Sequence, residues 1–173
     1  LDTGAVFDAL HRNVHQLLDA TAFAVYLVDL DATGLTMVFG VEAGIALPIS
    51  RVPLSSPTAH SARCARERKE VLIEIEPGVV TANWIPGTLP TLSLLYAPLM
   101  IGERVLGVMT IQSPRQHVYG ERERSIFLTL CAYGAIALDN ARAYGVAAEA
   151  QRRADMAVDE LRLAQARLVQ DIA

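Results

Sequence analysis

Histidine and cysteine are the side chains with most chemistry open to them, and the sequence has four of the first and two of the second. His11 and His15 stand four apart in a helix-like segment, a spacing at which two imidazoles can share a transition metal. No acidic or cysteine ligand adjoins them, so they read as solvated residues on a helix flank. His60 and His117 lie far apart in the chain. Cys64 and Cys131 cannot build a disulfide framework, and both sit in helix-like segments, which fits a reducing cytoplasm. Cys64 reads as a small buried hydrophobe before it reads as a redox sensor. Zinc-type ligand spacing, a phosphate-cradling glycine loop and a G-x-S-x-G nucleophile elbow are all missing from the sequence. The expectation is a segment with no catalytic machinery and no metal of its own.

The elements that carry these residues must come from a chain of 173 residues, 52% hydrophobic and 20% charged, which is rich enough in apolar side chains for one ordinary core. A formal net charge of −4 without a basic stripe argues against nucleic acid as a partner. No uncharged apolar run of about eighteen residues occurs, so no membrane contact is expected from this segment. A start at Leu1 and an end at Ala173 inside a helical pattern make the chain read as a piece of a longer protein, whose other parts can still be membrane-associated.

Val6, Phe7, Leu10, Val14, Leu17 and Leu18 recur at steps of three and four, which predicts an amphipathic helix over 5–20. Segments 23–31 and 35–42 are β-branched and aromatic and flank a turn at 31–34, which predicts a hairpin. Residues 43–55 read as loop. Ser56-Pro57 offers a capping hydroxyl before a helix over 58–68. A short strand at 71–75 follows, then a long loop over 76–91 with three prolines and Trp84. Two strands, 93–101 and 104–112, turn at Gly102-Glu103 and are apolar on both faces, so helices are expected to cover both sides of a central sheet. Gly107 is expected where a covering helix presses on a strand.

From 121 to 172 there is no proline, and a continuous helix of that length is longer than a small domain is wide, so its second half must project. Ala143, Ala147, Ala150, Ala154, Ala157, Leu161, Ala164 and Leu168 alternate steps of four and three, a coiled-coil seam of small residues. It implies a weak parallel homodimer; the other reading is a monomeric alanine-rich helix.

The order of elements resembles the GAF domain, a sensory module placed upstream of many signalling enzymes. The stretch from Ser93 to Ser113 looks like that family's paired central strands, with its Pro-Leu step, glycine turn and Leu-Gly-Val. The run Tyr119-Gly-Glu-Arg-Glu-Arg, continued by Ile126 to Ala141, looks like its closing helix. The resemblance implies an α/β sandwich whose central antiparallel sheet is covered by helices on both faces, with residues 1–145 as the sensory domain. Residues 146–173 would then be a coiled-coil linker toward a missing output domain. The tail from Leu161 to Gln170 is similar to the helix entering the dimerisation region of sensor histidine kinases, and also to connectors into GGDEF diguanylate cyclases. The expected function is a cytoplasmic, dimeric input domain for a kinase in the same chain. The alternatives are a cyclase input domain and a ligand-free dimerisation module.

Signatures of particular family members depart here. The Asn-Lys…Phe…Asp-Glu pattern of cyclic-nucleotide binders fails, because the only lysine is Lys69, in another segment; Tyr119 and Glu123 match just its tail. Cys64 is followed by Ala65 rather than histidine, and no Asp-Ile-Pro occurs, which argues against a covalent bilin. Two distant cysteines do not match members that reduce methionine sulfoxide. By analogy with ligand-binding members, a small-molecule pocket of unknown ligand is expected between the sheet and the 58–68 helix, under the Trp84 loop. Its candidate residues are Tyr96, Thr110, Gln112, Trp84, Phe39, His60 and Cys64. The strand register stays open: a two-residue turn pairs Tyr96 with Met109, facing it away from Thr110, whereas a three-residue loop puts Tyr96, Thr110 and Gln112 on one face.

Overall fold

Residues 2–81 and 87–172 are described by a computed structural model. Helix α1 (Thr3–Leu17) begins where the Asp2 carboxylate accepts the N–H of Ala5 at 2.7 Å, and it buries Val6, Phe7, Leu10 and Val14 along one stripe. Strands β1 (Ala22–Val28) and β2 (Gly34–Glu42) form the first hairpin. Its register shifts between Val25, paired with Phe39, and Tyr26, paired with Met37, which leaves Val38 as an extra residue. The expected loop over 43–55 contains two short strands, β3 (Ile45–Ala46) and β4 (Arg51–Pro53), both antiparallel to β2.

Helix α2 (His60–Glu67) starts two residues later than Ser56-Pro57 suggests. The Ser56 hydroxyl accepts the N–H of Ala59 at 3.1 Å, closing the turn before the helix instead of capping it. Arg68, at φ 55°, ends α2 in the left-handed region. Strands β5 (Val71–Glu74), β6 (Ser93–Ile101) and β7 (Arg104–Ser113) complete a seven-stranded antiparallel sheet in the order β3-β2-β1-β7-β6-β5, with β4 beside β2.

Helices cover both faces. On one, Phe23, Val25, Leu95, Met109 and Ile111 pack against α1 and the start of α3 (Glu121–Ile172), chiefly Phe127, Cys131 and Leu138. On the other, Leu94, Tyr96 and Val108 meet Cys64 and Ala65 of α2. Full burial of each large apolar side chain stabilises the fold by about 1.5–3 kcal/mol.

The second hairpin fits neither expected register. Ile101 faces Arg104 across a two-residue turn, Met100 faces Val105, and then Leu99 faces Gly107, so Leu106 is a bulge. That one extra residue brings Tyr96 opposite Thr110 despite the short turn. Gly107 also differs from expectation. A Cβ there would lie 2.0 Å from the Tyr26 carbonyl oxygen, so the backbone of β1, rather than a helix, occupies the space.

Helix α3 contacts the core as far as Ala141 and continues with exposed side chains; at 52 residues it is about 78 Å long. Arg104 Nη2 donates to Asp139 at 2.9 Å, tying the β6–β7 hairpin to this helix. Among the described residues no helix is long and apolar enough to cross a membrane.

Candidate functional site

The face of the sheet beneath α2 encloses a cavity of about 560 Å³. Its floor follows from register. Ala22 stands between Glu42 of β2 and Gln112 of β7, and Ala24 stands between Gly40 and Thr110, with Tyr96 beyond Thr110 on β6. Opposed residues of antiparallel strands share a face, so the two rows form a shallow trough with small residues along its middle, Glu42 at one side and Gln112, Thr110 and Tyr96 at the other. His60 and Ser61 of α2 line one wall, and segments 47–52, 78–81 and 88–92 close the remainder.

The polar groups are connected. Gln112 Nε2 donates to the Tyr96 hydroxyl at 3.2 Å, and the Thr91 hydroxyl donates to Gln112 Oε1 at 3.2 Å. At the other end of the row the backbone N–H of Leu89 donates to Glu42 Oε1. The covering segment is therefore held by both Gln112 and Glu42. The His60 and Tyr96 rings lie 5.7 Å apart. Burial, with Tyr26 nearby, raises the Tyr96 phenol well above its ordinary value; burial also raises Tyr26, partly offset by its hydrogen bond to Ser50. Burial, then the Arg63 charge, lowers His60, so its imidazole is neutral near pH 7.

Of the candidates from sequence, Tyr96, Thr110, Gln112 and His60 come together in this cavity. Phe39 does not. The extra residue in β2 turns it to the opposite face, where it packs with Phe7, His11 and Phe23 at 6.0, 5.8 and 5.8 Å between ring centroids. Cys64 lies behind the cavity wall, fully buried beside Val108 and Leu35, and burial, aided by Glu67, pushes its thiol up to about 12. Trp84 lies outside the described residues. Tyr119 is a structural residue: buried, it donates its hydroxyl to the Asp19 carbonyl at 2.6 Å. His11 and His15 have ring centroids 6.2 Å apart, and among the described residues no group of three or more His, Cys, Asp or Glu could hold a metal ion. Glu42, Tyr26 and the two alanines of β1 were not singled out from the sequence; the Ala-x-Ala alternation of Ala22 and Ala24 was the available signal.

Helix α3 is two-faced. Phe127, Cys131, Ala135 and Leu138 point into the domain, whereas the Ala143 to Leu168 seam is exposed along its length. Counting the same four-three steps backwards from Ala143 reaches Asn140, Ile136 and Tyr133. All three are exposed on the domain itself, Ile136 by 51% and Tyr133 by 69%.

The sequence model of the GAF domain matches residues 1–139. The chain belongs to the GAF domain family. Solved GAF structures agree with this one at the level of fold. The GAF domain of a two-component sensor histidine kinase from Bacillus halodurans superposes with a TM-score of 0.69 at 15% identity, over 82% of this chain and 97% of that one. The GAF-B domain of DevS from Mycobacterium smegmatis gives 0.61 at 21% identity, over 88% and 98%. A free methionine-R-sulfoxide reductase from Neisseria meningitidis, solved with its substrate, gives 0.64 at 16% identity, over 83% of each chain. No curated protein matches the sequence significantly. Solved structures similar to this chain thus come from a histidine kinase and from other proteins.

Proposed function

We propose that this GAF domain is a dimeric, cytoplasmic input module that senses a small molecule in the α2-side cavity and reports it through α3 to an output enzyme in the same chain. A sensor histidine kinase is the output favoured. In this reading residues 1–145 sense, residues 146–173 connect, and the segment itself catalyses nothing.

The observation that carries the reading is that the cavity and α3 lie on opposite faces of β6. Along β6, Leu94 and Tyr96 face the cavity while Leu95 and Ala97 face the helix side, because successive strand residues point to opposite faces. A ligand that moves Tyr96, or Gln112 bonded to it, therefore strains the packing under Phe127 and Cys131. Only its differential affinity for two helix arrangements can drive output. The exposed seam supports a parallel pair of helices, with Asn140 at an a position, where a polar residue fixes register and oligomer state. The kinase relative from Bacillus halodurans supports that choice of output.

Native mass spectrometry of the protein, followed by denaturation to release bound species, tests this. A dimer carrying one defined non-protein mass per chain supports the sensor. A dimer without added mass, whose melting temperature no metabolite shifts, favours a module that only dimerises.

A further inference from the structure

Charge is unevenly distributed around the α2-side cavity. Among the described lining residues there is no lysine or arginine, and the connecting sequence 76–91, whose described parts wall the cavity, contains neither. Glu42 is the acidic side chain that lines it, only 9% exposed, and among the described residues no lysine or arginine pairs with it. His60 faces the same space as a neutral ring. An anion entering here would lose its hydration with no cation to receive it and would meet a carboxylate as well.

The two ends of the trough differ. Glu42 and Gln112 each neighbour Ala22, one on either side of β1, so their backbones are about 10 Å apart at the usual strand spacing. One end offers a negative charge. The other offers the neutral amide of Gln112 joined to the Tyr96 phenol and the Thr110 hydroxyl. Between them the floor is alanine, flat and apolar, with room for a ring.

We infer that this cavity selects a small organic cation, with an ammonium or amidinium group set against Glu42 and a neutral hydrogen-bonding group at Gln112 and Tyr96, and that it rejects carboxylates and phosphates. The inference rests on the small-molecule reading above. It gives that reading a coupling element, since the Glu42 oxygen a cation seeks is the one that holds Leu89 of the cover.

Three probes of one shape decide it: tyramine, 4-ethylphenol and 4-hydroxyphenylacetate, which are cationic, neutral and anionic, titrated into the dimeric protein by calorimetry and ligand-observed NMR. The expected order is tyramine, then 4-ethylphenol, then 4-hydroxyphenylacetate. In Glu42→Gln, whose amide oxygen still accepts from Leu89, tyramine weakens by about tenfold or more while 4-ethylphenol is unchanged. Binding of 4-hydroxyphenylacetate as tight as that of tyramine, or tyramine binding indifferent to Glu42→Gln, overturns the charge assignment and leaves the sensing role standing. If no probe binds at millimolar concentration, or if binding survives Ala24→Leu, which fills the floor, the cation site is overturned, while the sensing role is decided separately by released mass and melting-temperature shifts. Far-UV circular dichroism of both variants confirms that they are folded.

Discussion

Replacing Gly107 by alanine tests the sheet that carries the cavity. The added methyl carbon would lie 2.0 Å from the Tyr26 carbonyl oxygen, 3.0 Å from its carbonyl carbon and 3.1 Å from the Leu27 Cα, all of them backbone atoms that no side-chain rotation moves aside. A carbon and a carbonyl oxygen normally approach no closer than about 3.3 Å, so β1 and β7 must part locally by roughly 1 Å. N–H···O bonds of about 2.9 Å do not survive that displacement. Two or three ladder bonds around the Leu27 and Gly107 pair are then lost, at about 1 kcal/mol each, placing the total near 3 kcal/mol. For a chain of this size that lowers the melting temperature by roughly 6–12 °C. Gly145→Ala is the control. A Cβ there meets nothing within 4 Å, and the site is an exposed helix interior, so alanine stabilises α3 by about 0.5–1 kcal/mol. Urea and thermal unfolding followed by far-UV circular dichroism give both values. A Gly107→Ala protein within about 0.5 kcal/mol of the parent would refute the close-approach argument.

Other expectations are as direct. Asp at Ile136, Leu161 and Leu168 together should weaken the proposed dimer by well over tenfold in sedimentation equilibrium; an unchanged constant would mean that the seam is not the contact. Tyr96→Phe removes the oxygen that accepts from Gln112 Nε2 and should destabilise the fold by about 1 kcal/mol, read in urea. His60 is lowered on folding by burial and by Arg63, so the unfolded chain binds its proton first as pH falls below about 6.5. Stability should therefore drop from pH 6.5 downward until the folded imidazole also titrates, and be flat in this respect above it. An identical pH slope in His60→Gln would contradict that assignment. Cys64 and Cys131 are fully buried or nearly so, and burial raises both thiols, so an aromatic disulfide reagent at pH 8 should label them only at the rate of unfolding. Rapid labelling of folded protein would show the packing around α2 or α3 to be looser than described.

How much of this was legible in the sequence depended on whether periodicity or a single inserted residue decided the matter. The stripe from Val6 to Val14, the two hairpins, the covered sheet and the proline-free final helix all follow from spacing, and the structure has them. What spacing does not reveal is a bulge. One extra residue at Val38 sends Phe39 to the wrong face for a ligand, and one at Leu106 brings Tyr96 across from Thr110. Both events are invisible in a pattern of apolar residues, because the residues on either side of the bulge still alternate. Glu42 was hidden for a related reason: it becomes part of a site only when β1 places Ala22 between it and Gln112. The short strands β3 and β4 have too few residues to show an alternation at all.

The unbroken run of α3 from the core to its far end makes the connection a matter of counting. Each residue inserted or removed beyond Ala141 rotates everything after it by about 100° and shifts it by about 1.5 Å, with no loop to absorb the error. Seven residues return the stripe nearly to its starting azimuth, whereas three or four swing it partly away. On the proposed signalling role, anyone grafting this domain onto a reporter enzyme should vary the junction one residue at a time and expect output to rise and fall with a period of seven, as a combination lock opens only at certain settings of its dial.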